Sequence, residues 1–271
     1  MCRDLRNWTT YGIGGRARSL VIAKDRQSLC ELAPHSLVLG FGSNVLVSDE
    51  GYDGAVLINR YDETRFDGMY VYAGSGLRLG ALSKMLADRG LGGGEWFCGI
   101  PGTVGGAIVM NAGAHGNDIS AIVRSVDVLA DGRVKTLTRD EIPFSYRSSG
   151  IVGTVVGATF EFYPRERKLI DAETQRFSAW RAEHQPRGRS AGSVFKNPDG
   201  AYIAELIDSA GLKCKRIGGA EISQKHANFI VNTGGATARD VKRLIDAVKV
   251  ELKQRFGIDA KEEIKYIGEF V

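Results

Sequence analysis

Several common routes to chemistry are closed by what this 271-residue chain lacks. It has only four histidines (His35, His115, His184 and His226), none at a metal-ligand spacing such as H-x-x-x-H, so no metal site is expected. Its four cysteines (Cys2, Cys30, Cys98 and Cys214) stand far apart without a C-x-x-C, which argues against a zinc ribbon or a disulfide scaffold. A reducing, cytoplasmic setting is the expectation that follows. Six prolines set against 35 glycines exclude collagen-like and Pro/Gly-rich disordered compositions. Charges of both signs are interspersed with no long run of one sign, the net charge is +4, and no nucleic-acid module is visible, so no nucleic-acid partner is expected. No apolar stretch approaches the ~18–20 residues that span a bilayer, and Met1–Arg6 leads into no apolar leader segment, so no membrane partner is expected either.

What the chain does have is glycine, and unevenly: ten of the 35 fall between Gly90 and Gly116. Around this cluster the pattern alternates strands and helices. Ser19–Ala23, Ser36–Gly40, Val45–Val47 and Ala55–Ile58 read as short strands, with Asp25 capping a helix that carries Leu29 and Leu32. Tyr70–Ala73 reads as a strand and Leu79–Arg89 as a helix. Val123–Ala130 and Arg133–Thr138 flank Asp131-Gly132, a strong hairpin signal, and Thr154–Tyr163 is a further strand. Pro164–Lys168 is a polar break. Beyond it, Thr237 and Asp240 form a capping-box signature ahead of the apolar stripe Val241, Leu244, Ile245, Val248 and Leu252. These breaks suggest three segments, 1–60, 61–164 and 165–271.

Four segments can carry chemistry. Gly40-Phe41-Gly42-Ser43-Asn44 follows a strand, and a Gly-x-Gly turn lets backbone N–H groups approach a phosphate. It lacks the third glycine of the dinucleotide fingerprint, and on pattern alone a tight structural turn stays open. Gly99-Ile100-Pro101-Gly102-Thr103-Val104-Gly105-Gly106 continues to Asn111, Gly113 and Gly116; buried, such a loop needs backbone partners that a polyphosphate with a flat ring system would supply, and an ordinary flexible loop is the alternative. Arg147, in Phe144–Ser149, can hold a carboxylate or stabilise an enolate through its fixed fork of donors, or can form a surface ion pair. Ser190–Pro198 brings Ser193, Lys196 and Asn197 into one turn; it is not a nucleophile elbow, and a polar binding loop or a helix cap both remain open. Near the C-terminus, Glu262 and Glu263 precede a short strand.

Taken together these segments resemble the UDP-N-acetylenolpyruvoylglucosamine reductase family. The matching stretches are Thr9–Gly15 (TTYGIGG), Gly40–Val47 (GFGSNVLV), Gly99–Gly116, Ser145–Ser149, Ser190–Pro198, His226–Asn232 (HANFIVN) and Glu262–Gly268, in the family's order. The resemblance implies an α+β fold: a two-subdomain FAD-binding unit of the vanillyl-alcohol-oxidase (PCMH) type, in 1–60 and 61–164, followed by a C-terminal α+β substrate-binding domain in 165–271. It implies non-covalent FAD held by Gly40, Gly42, Ser43, Asn44, Gly99, Ile100, Pro101, Gly102, Thr103, Gly105, Gly106, Asn111 and Gly113. NADPH is the implied co-substrate, and the implied reaction is reduction of UDP-N-acetylglucosamine enolpyruvate. Arg147 and Glu263 correspond to the pair that positions and stabilises the enolpyruvyl group, Ser193 to the proton donor to C2, and Lys196, Asn197 and His226 to substrate contacts. A cytoplasmic monomer is expected.

The chain also departs from the family pattern. Lys261 stands where an acid is usual. The stretch between Tyr163 and Ser190 has no insertion carrying a substrate-clamping tyrosine, which resembles the family's shorter second type. Two alternatives keep the fold. An oxygen-using oxidase often tethers FAD through a histidine, but none lies in or beside GFGSN. An inert nucleotide-binding protein has no use for Arg147, Ser193 and Glu263 together.

Overall fold

The structure, a computed structural model, describes residues 3–270; Cys2 and the start of the segment read for a leader lie outside them. By internal contacts the chain divides into two units interleaved along the sequence, one of Met1–Ser19, Gly42–Gly54 and Ala182–Val271, the other of Leu20–Phe41 and Ala55–Arg181. This division does not follow the three consecutive segments 1–60, 61–164 and 165–271. Helices and strands are mixed in both units, as the α+β expectation requires.

The second unit is built on a five-stranded antiparallel sheet in the order Arg133–Thr138, Val123–Ala130, Thr154–Glu161, Tyr70–Gly74, Thr64–Asp67. The Asp131-Gly132 turn has φ of 52° and 72° at its two positions, the left-handed pair that a two-residue hairpin needs. On one face Val71, Ala73, Val126, Val128, Ala158 and Phe160 pack against Leu79, Leu82 and Leu86, and against Trp96 and Phe97. Register shifts by one between Asp127↔Gly157 and Val128↔Val155, so Val156 is an extra residue on its strand. That bulge turns Val156 to the opposite face, where it joins Leu129, Leu57 and Leu29 in a second core. Leu29 belongs to α1 (Arg26–Leu32), whose cap is the expected Asp25, accepting from Ser28 N at 2.8 Å. Helix α2 is Leu79–Ala87, and two short helices follow, α3 (Val104–Val109) and α4 (Ile119–Ile122).

One element differs plainly from the sequence reading. An 18-residue helix, α5 (Arg167–His184), begins inside the polar break itself. Its only buried side chains are Ile170 and Phe177, seven residues apart on one face, so it shows almost no amphipathic stripe.

In the first unit the strands Arg216–Ile217, Ala220–Ile222 and Ile230–Asn232 form an antiparallel sheet. Helix α6 (Ile203–Ser209) and the 19-residue α7 (Ala238–Phe256) complete this unit's core with Val241, Leu244, Ile245, Val248 and Leu252, all buried. The Thr237/Asp240 capping box forms as expected, the Asp49 carboxylate accepts from Ala238 N and Arg239 N at 2.8 and 3.0 Å, and Gly257 ends the helix at φ 71°. Val45–Val47 pairs in parallel with Lys265–Ile267. This pairing brings the ends of two sequence-predicted segments, GFGSN and Glu262–Gly268, into one place.

Candidate functional site

In the first unit the serine loop is fixed from both sides. Val194 and Phe195 are buried in the core, which anchors the loop while Ser193 and Lys196 stay half-exposed. Val194 N donates to Asn228 O at 2.9 Å, and Val194 O accepts from Glu263 N at 2.7 Å. The buried Asn228 side chain acts as a strand partner for Phe195, accepting from its N–H at 2.9 Å and donating to its C=O at 2.8 Å. Ser193 bridges Phe229, and Lys196 N donates to Lys261 O at 2.8 Å. Ser193, Lys196 and Glu263 are thus brought together around one two-sided turn. Asn197 has a local task as well: its Oδ1 accepts from Ile203 N at 3.2 Å at the start of α6, so the loop is both a polar loop and a helix cap. Both acids adjoin the serine loop: Glu262 bridges Phe195 and is ion-paired with Lys249 at 2.9 Å, while Glu263 meets Val194 through its backbone N–H.

The Gly42–Asn44 turn joins this assembly. Asn44 Nδ2 donates to Glu263 O at 3.1 Å, and Lys265 N donates to Asn44 O at 2.9 Å. Gly42 sits at φ +64°, and a Cβ there would meet Trp8 O at 2.1 Å, so glycine is obligatory on both counts.

His226 Nδ1 accepts from Asn228 N at 3.3 Å, and the ring packs edge-on to Phe229 with centroids 4.8 Å apart. Burial, reinforced by the charges of Lys213 and His184, lowers its pKa from the ordinary 6.5. Burial outweighs a backbone hydrogen bond that acts the other way, so the folded chain favours the neutral ring. An unfolded chain takes up a proton near the ordinary value and the folded chain resists it. Stability from this group is full above pH ~6.5 and declines as pH falls below it. Thermal melts across that range should show His226→Gln with a shallower acid slope than the parent; an unchanged slope would contradict the assignment. His115, whose pKa is also lowered by burial and by Arg181 and Arg176, keeps a residual slope in both proteins.

In the second unit the glycine-rich stretch is not a plain loop, since its second half winds into α3. Several of its N–H groups are already used inside the protein, among them Ile100 N by Phe97 O at 3.1 Å, Val104 N by Leu77 O at 2.8 Å and Gly105 N by Ser75 O at 2.9 Å. Gly102 O accepts from Leu79 N at 3.1 Å, and Gly99 at φ +71° lies against Arg181. Gly40 packs on buried Thr103, where a Cβ would stand 2.5 Å from Thr103 Oγ1. Gly106 differs: it is exposed within a helix, and a Cβ there would meet only Thr103 Oγ1, at an ordinary 3.7 Å. The protein itself gives no reason for glycine at this position, although glycine costs a helix about 0.5–1 kcal/mol relative to alanine. Close approach of a ligand to the backbone supplies one.

Two arginines that sequence reading missed stand at Gly40 and Phe41. Arg60 Nη1 donates to Gly40 O at 2.8 Å, and the Arg78 guanidinium lies over Phe41 at 4.1 Å. Burial and then the Arg78 charge lower the pKa of Arg60, so the two cations share one positive region beside Gly40. No local pattern marks either residue; each simply follows the end of a strand or precedes a helix. Donor-rich glycine backbone with paired guanidinium groups suits a pyrophosphate, and these residues fit a dinucleotide cofactor.

Arg147 occupies the turn in which Ser145 N donates to Ser148 O at 2.8 Å and Ser148 N donates back at 3.1 Å. Its φ is +58°, a conformation that costs a non-glycine residue about 1 kcal/mol or more and that clusters at functional sites. Asn111 uses both ends of its amide to hold the region, accepting from Ser120 N at 3.0 Å and donating to Ser145 O at 3.2 Å. Its backbone N–H is also used, by Ile108 O at 3.0 Å. Gly113 lies beside the Arg147 guanidinium, since a Cβ there would stand 3.5 Å from Nη1. Ile100 and Pro101 link Gly99 to Gly102 along the same stretch, and Ser43 lies between Gly42 and Asn44. Among the described residues no cluster of three or more His, Cys, Asp or Glu side chains is placed to hold a metal ion.

Comparison with known proteins gives a consistent picture. Residues 184–267 match the family described as UDP-N-acetylenolpyruvoylglucosamine reductase, C-terminal domain, and residues 27–138 match an FAD binding domain. UDP-N-acetylenolpyruvoylglucosamine reductase 2 of Symbiobacterium thermophilum is 43% identical over 97% of this chain and 90% of its own length. The Bacillus licheniformis reductase is 41% identical over 98% of this chain and 92% of its own. The crystal structure of UDP-N-acetylenolpyruvylglucosamine reductase from Thermus caldophilus superposes with a TM-score of 0.88 at 34% identity, covering 97% of each chain.

Proposed function

The chain belongs to the UDP-N-acetylenolpyruvoylglucosamine reductase family, and from that premise we propose how its own residues carry the reaction. The protein reduces UDP-N-acetylglucosamine enolpyruvate to UDP-N-acetylmuramate, with FAD as cofactor and NADPH as reductant. FAD, when bound, would supply the hydride-carrying redox chemistry that links NADPH to C3 of the enolpyruvyl group. Gly40, Gly42, Ser43, Asn44, Gly99–Thr103, Gly105, Gly106, Asn111 and Gly113 hold the cofactor, with Arg60 and Arg78 countering the pyrophosphate charge. Arg147 holds the carboxylate on which negative charge develops, using a fixed fork of donors. Glu263 orients the same group, and Ser193 supplies the proton to C2. A serine is a weak acid, so it donates only to a strongly basic, carbanion-like centre, which is the species this addition creates. Lys196, Asn197 and His226 contact the nucleotide sugar.

One observation supports this division of roles above the others: Val194, next to Ser193 in the chain, is held between the backbones of Asn228 and Glu263. The same reading takes the protein as a cytoplasmic monomer without nucleic-acid or membrane partners; among the described residues no helix is long and apolar enough to cross a membrane. In an assay, NADPH should be consumed equivalent for equivalent with the enolpyruvyl nucleotide sugar, with the lactyl ether as product. Rapid consumption of NADPH by air alone, unaffected by that substrate, would favour an oxidase and sink the reading.

A further inference from the structure

The Thr9–Gly15 segment has no part in the roles assigned so far, yet it is placed between two loops that do. Thr10 N donates to Gly42 O at 3.0 Å, which ties it to the cofactor turn. Thr10 Oγ1 donates to Ser190 O at 2.6 Å, the first residue of the serine loop, and stands 3.4 Å from Gly42 O. One residue therefore holds a carbonyl from each loop through two different donors. Its own position is fixed from both sides. Gly42 approaches so closely that a Cβ there would overlap Trp8 O and Thr9 Cα, at 2.1 and 2.9 Å. Tyr11 is fully buried in the core, and its C=O accepts from Asn232 Nδ2 at 3.0 Å. Asn232 N in turn donates to Arg189 O at 2.9 Å, just before the serine loop. Thr9 Oγ1 donates to Ile13 O at 2.9 Å and closes the segment on itself.

We propose that Thr10 is a positioning residue, setting the serine loop against the cofactor turn so that Ser193 stands at the distance proton delivery requires. The inference rests on the proton-donor role of Ser193. Glu263 fixes the far side of the loop through Val194, and Thr10 fixes its entry. Without the Oγ1 bond the entry keeps only the Asn232 N bond to Arg189 O, so Ser190 can shift while the far side stays anchored. A displacement of that kind changes proton transfer steeply and leaves hydride uptake by the cofactor untouched.

The test compares Thr10→Val, which keeps shape but loses the hydroxyl donor, with Thr10→Ser, which restores it. Thr10→Ala serves as a smaller truncation should the valine variant not fold. Each is purified with its flavin, and the two half-reactions are followed separately by rapid mixing. The valine variant should keep its flavin and its rate of reduction by NADPH, while reoxidation by the enolpyruvyl substrate slows by about tenfold. The serine variant should recover to within about threefold. Placed in a Ser193→Ala background, Thr10→Val should have little further effect, because it acts through the residue already removed. Equal slowing of both half-reactions, loss of flavin, no rescue by serine, or an undiminished effect in the Ser193→Ala background would each overturn the proposal. If Thr10→Val slows reoxidation while Ser193→Ala does not, the failure lies with the proton-donor role; if Ser193→Ala slows it and Thr10→Val does not, the positioning role alone fails.

Discussion

Ser193→Ala should leave flavin reduction by NADPH within about twofold of the parent and slow reoxidation by the enolpyruvyl substrate by about 10²–10⁴-fold, the usual contribution of a positioned acid. The selectivity follows from the proposed role: hydride uptake from NADPH needs no proton from this serine, whereas the proposal has it supply the proton that completes the reduction at C2. The structure makes the variant a clean one. The loop is anchored by Val194 and Phe195 in the core, by the two amide bonds of Asn228 and by Glu263 N, none of which involves the serine hydroxyl. The melting temperature should therefore change little. Slowing of both half-reactions to the same extent would mean that the substitution disturbed the site as a whole, and the acid would have to be sought elsewhere.

Gly106→Ala should move stability and cofactor affinity in opposite directions. In the protein alone, alanine is the better helix residue at this exposed position of α3, and its Cβ meets nothing closer than 3.7 Å, so the flavin-free protein should gain about 0.5–1 kcal/mol. If FAD lies against this backbone, the added methyl overpacks the contact, which typically costs about 1–3 kcal/mol and weakens FAD binding by roughly 10–100-fold. Denaturant unfolding of the flavin-free protein and flavin titration measure the two sides separately. Higher stability with unchanged affinity would remove Gly106 from the cofactor site. The neighbouring glycines offer no such test: Gly40, Gly42 and Gly105 are required by Thr103, Trp8 and Ser75, so their substitution would damage the fold first.

This contrast shows what was legible in the sequence. The motifs GFGSN, GIPGTVGGA and SAGSVFKNP identify the family and the cofactor, and the hairpin at Asp131-Gly132 and the capped helix α7 follow from local rules that the fold respects. Glycine counting alone, however, cannot separate a glycine demanded by packing from one left open for a ligand; that needs the neighbours. Arg60 and Arg78 were not visible because long-range folding, not local pattern, brings them to Gly40 and Phe41. Helix α5 escaped for a different reason: with only Ile170 and Phe177 buried, it lacks the stripe by which helices are read. The interleaving of the two units is equally invisible to a reading that cuts the chain at polar breaks, since Gly42–Gly54 groups both with Met1–Ser19 and, through the pairing of Val45–Val47 with Lys265–Ile267, with the far end of the chain.

The most direct test of the account is the visible spectrum of the purified protein under anaerobic conditions, followed through two additions. The protein should show the absorption of bound oxidised flavin, which NADPH bleaches and the enolpyruvyl nucleotide sugar then restores. Flavin absent from the protein, or flavin that NADPH bleaches and only oxygen restores, would contradict it.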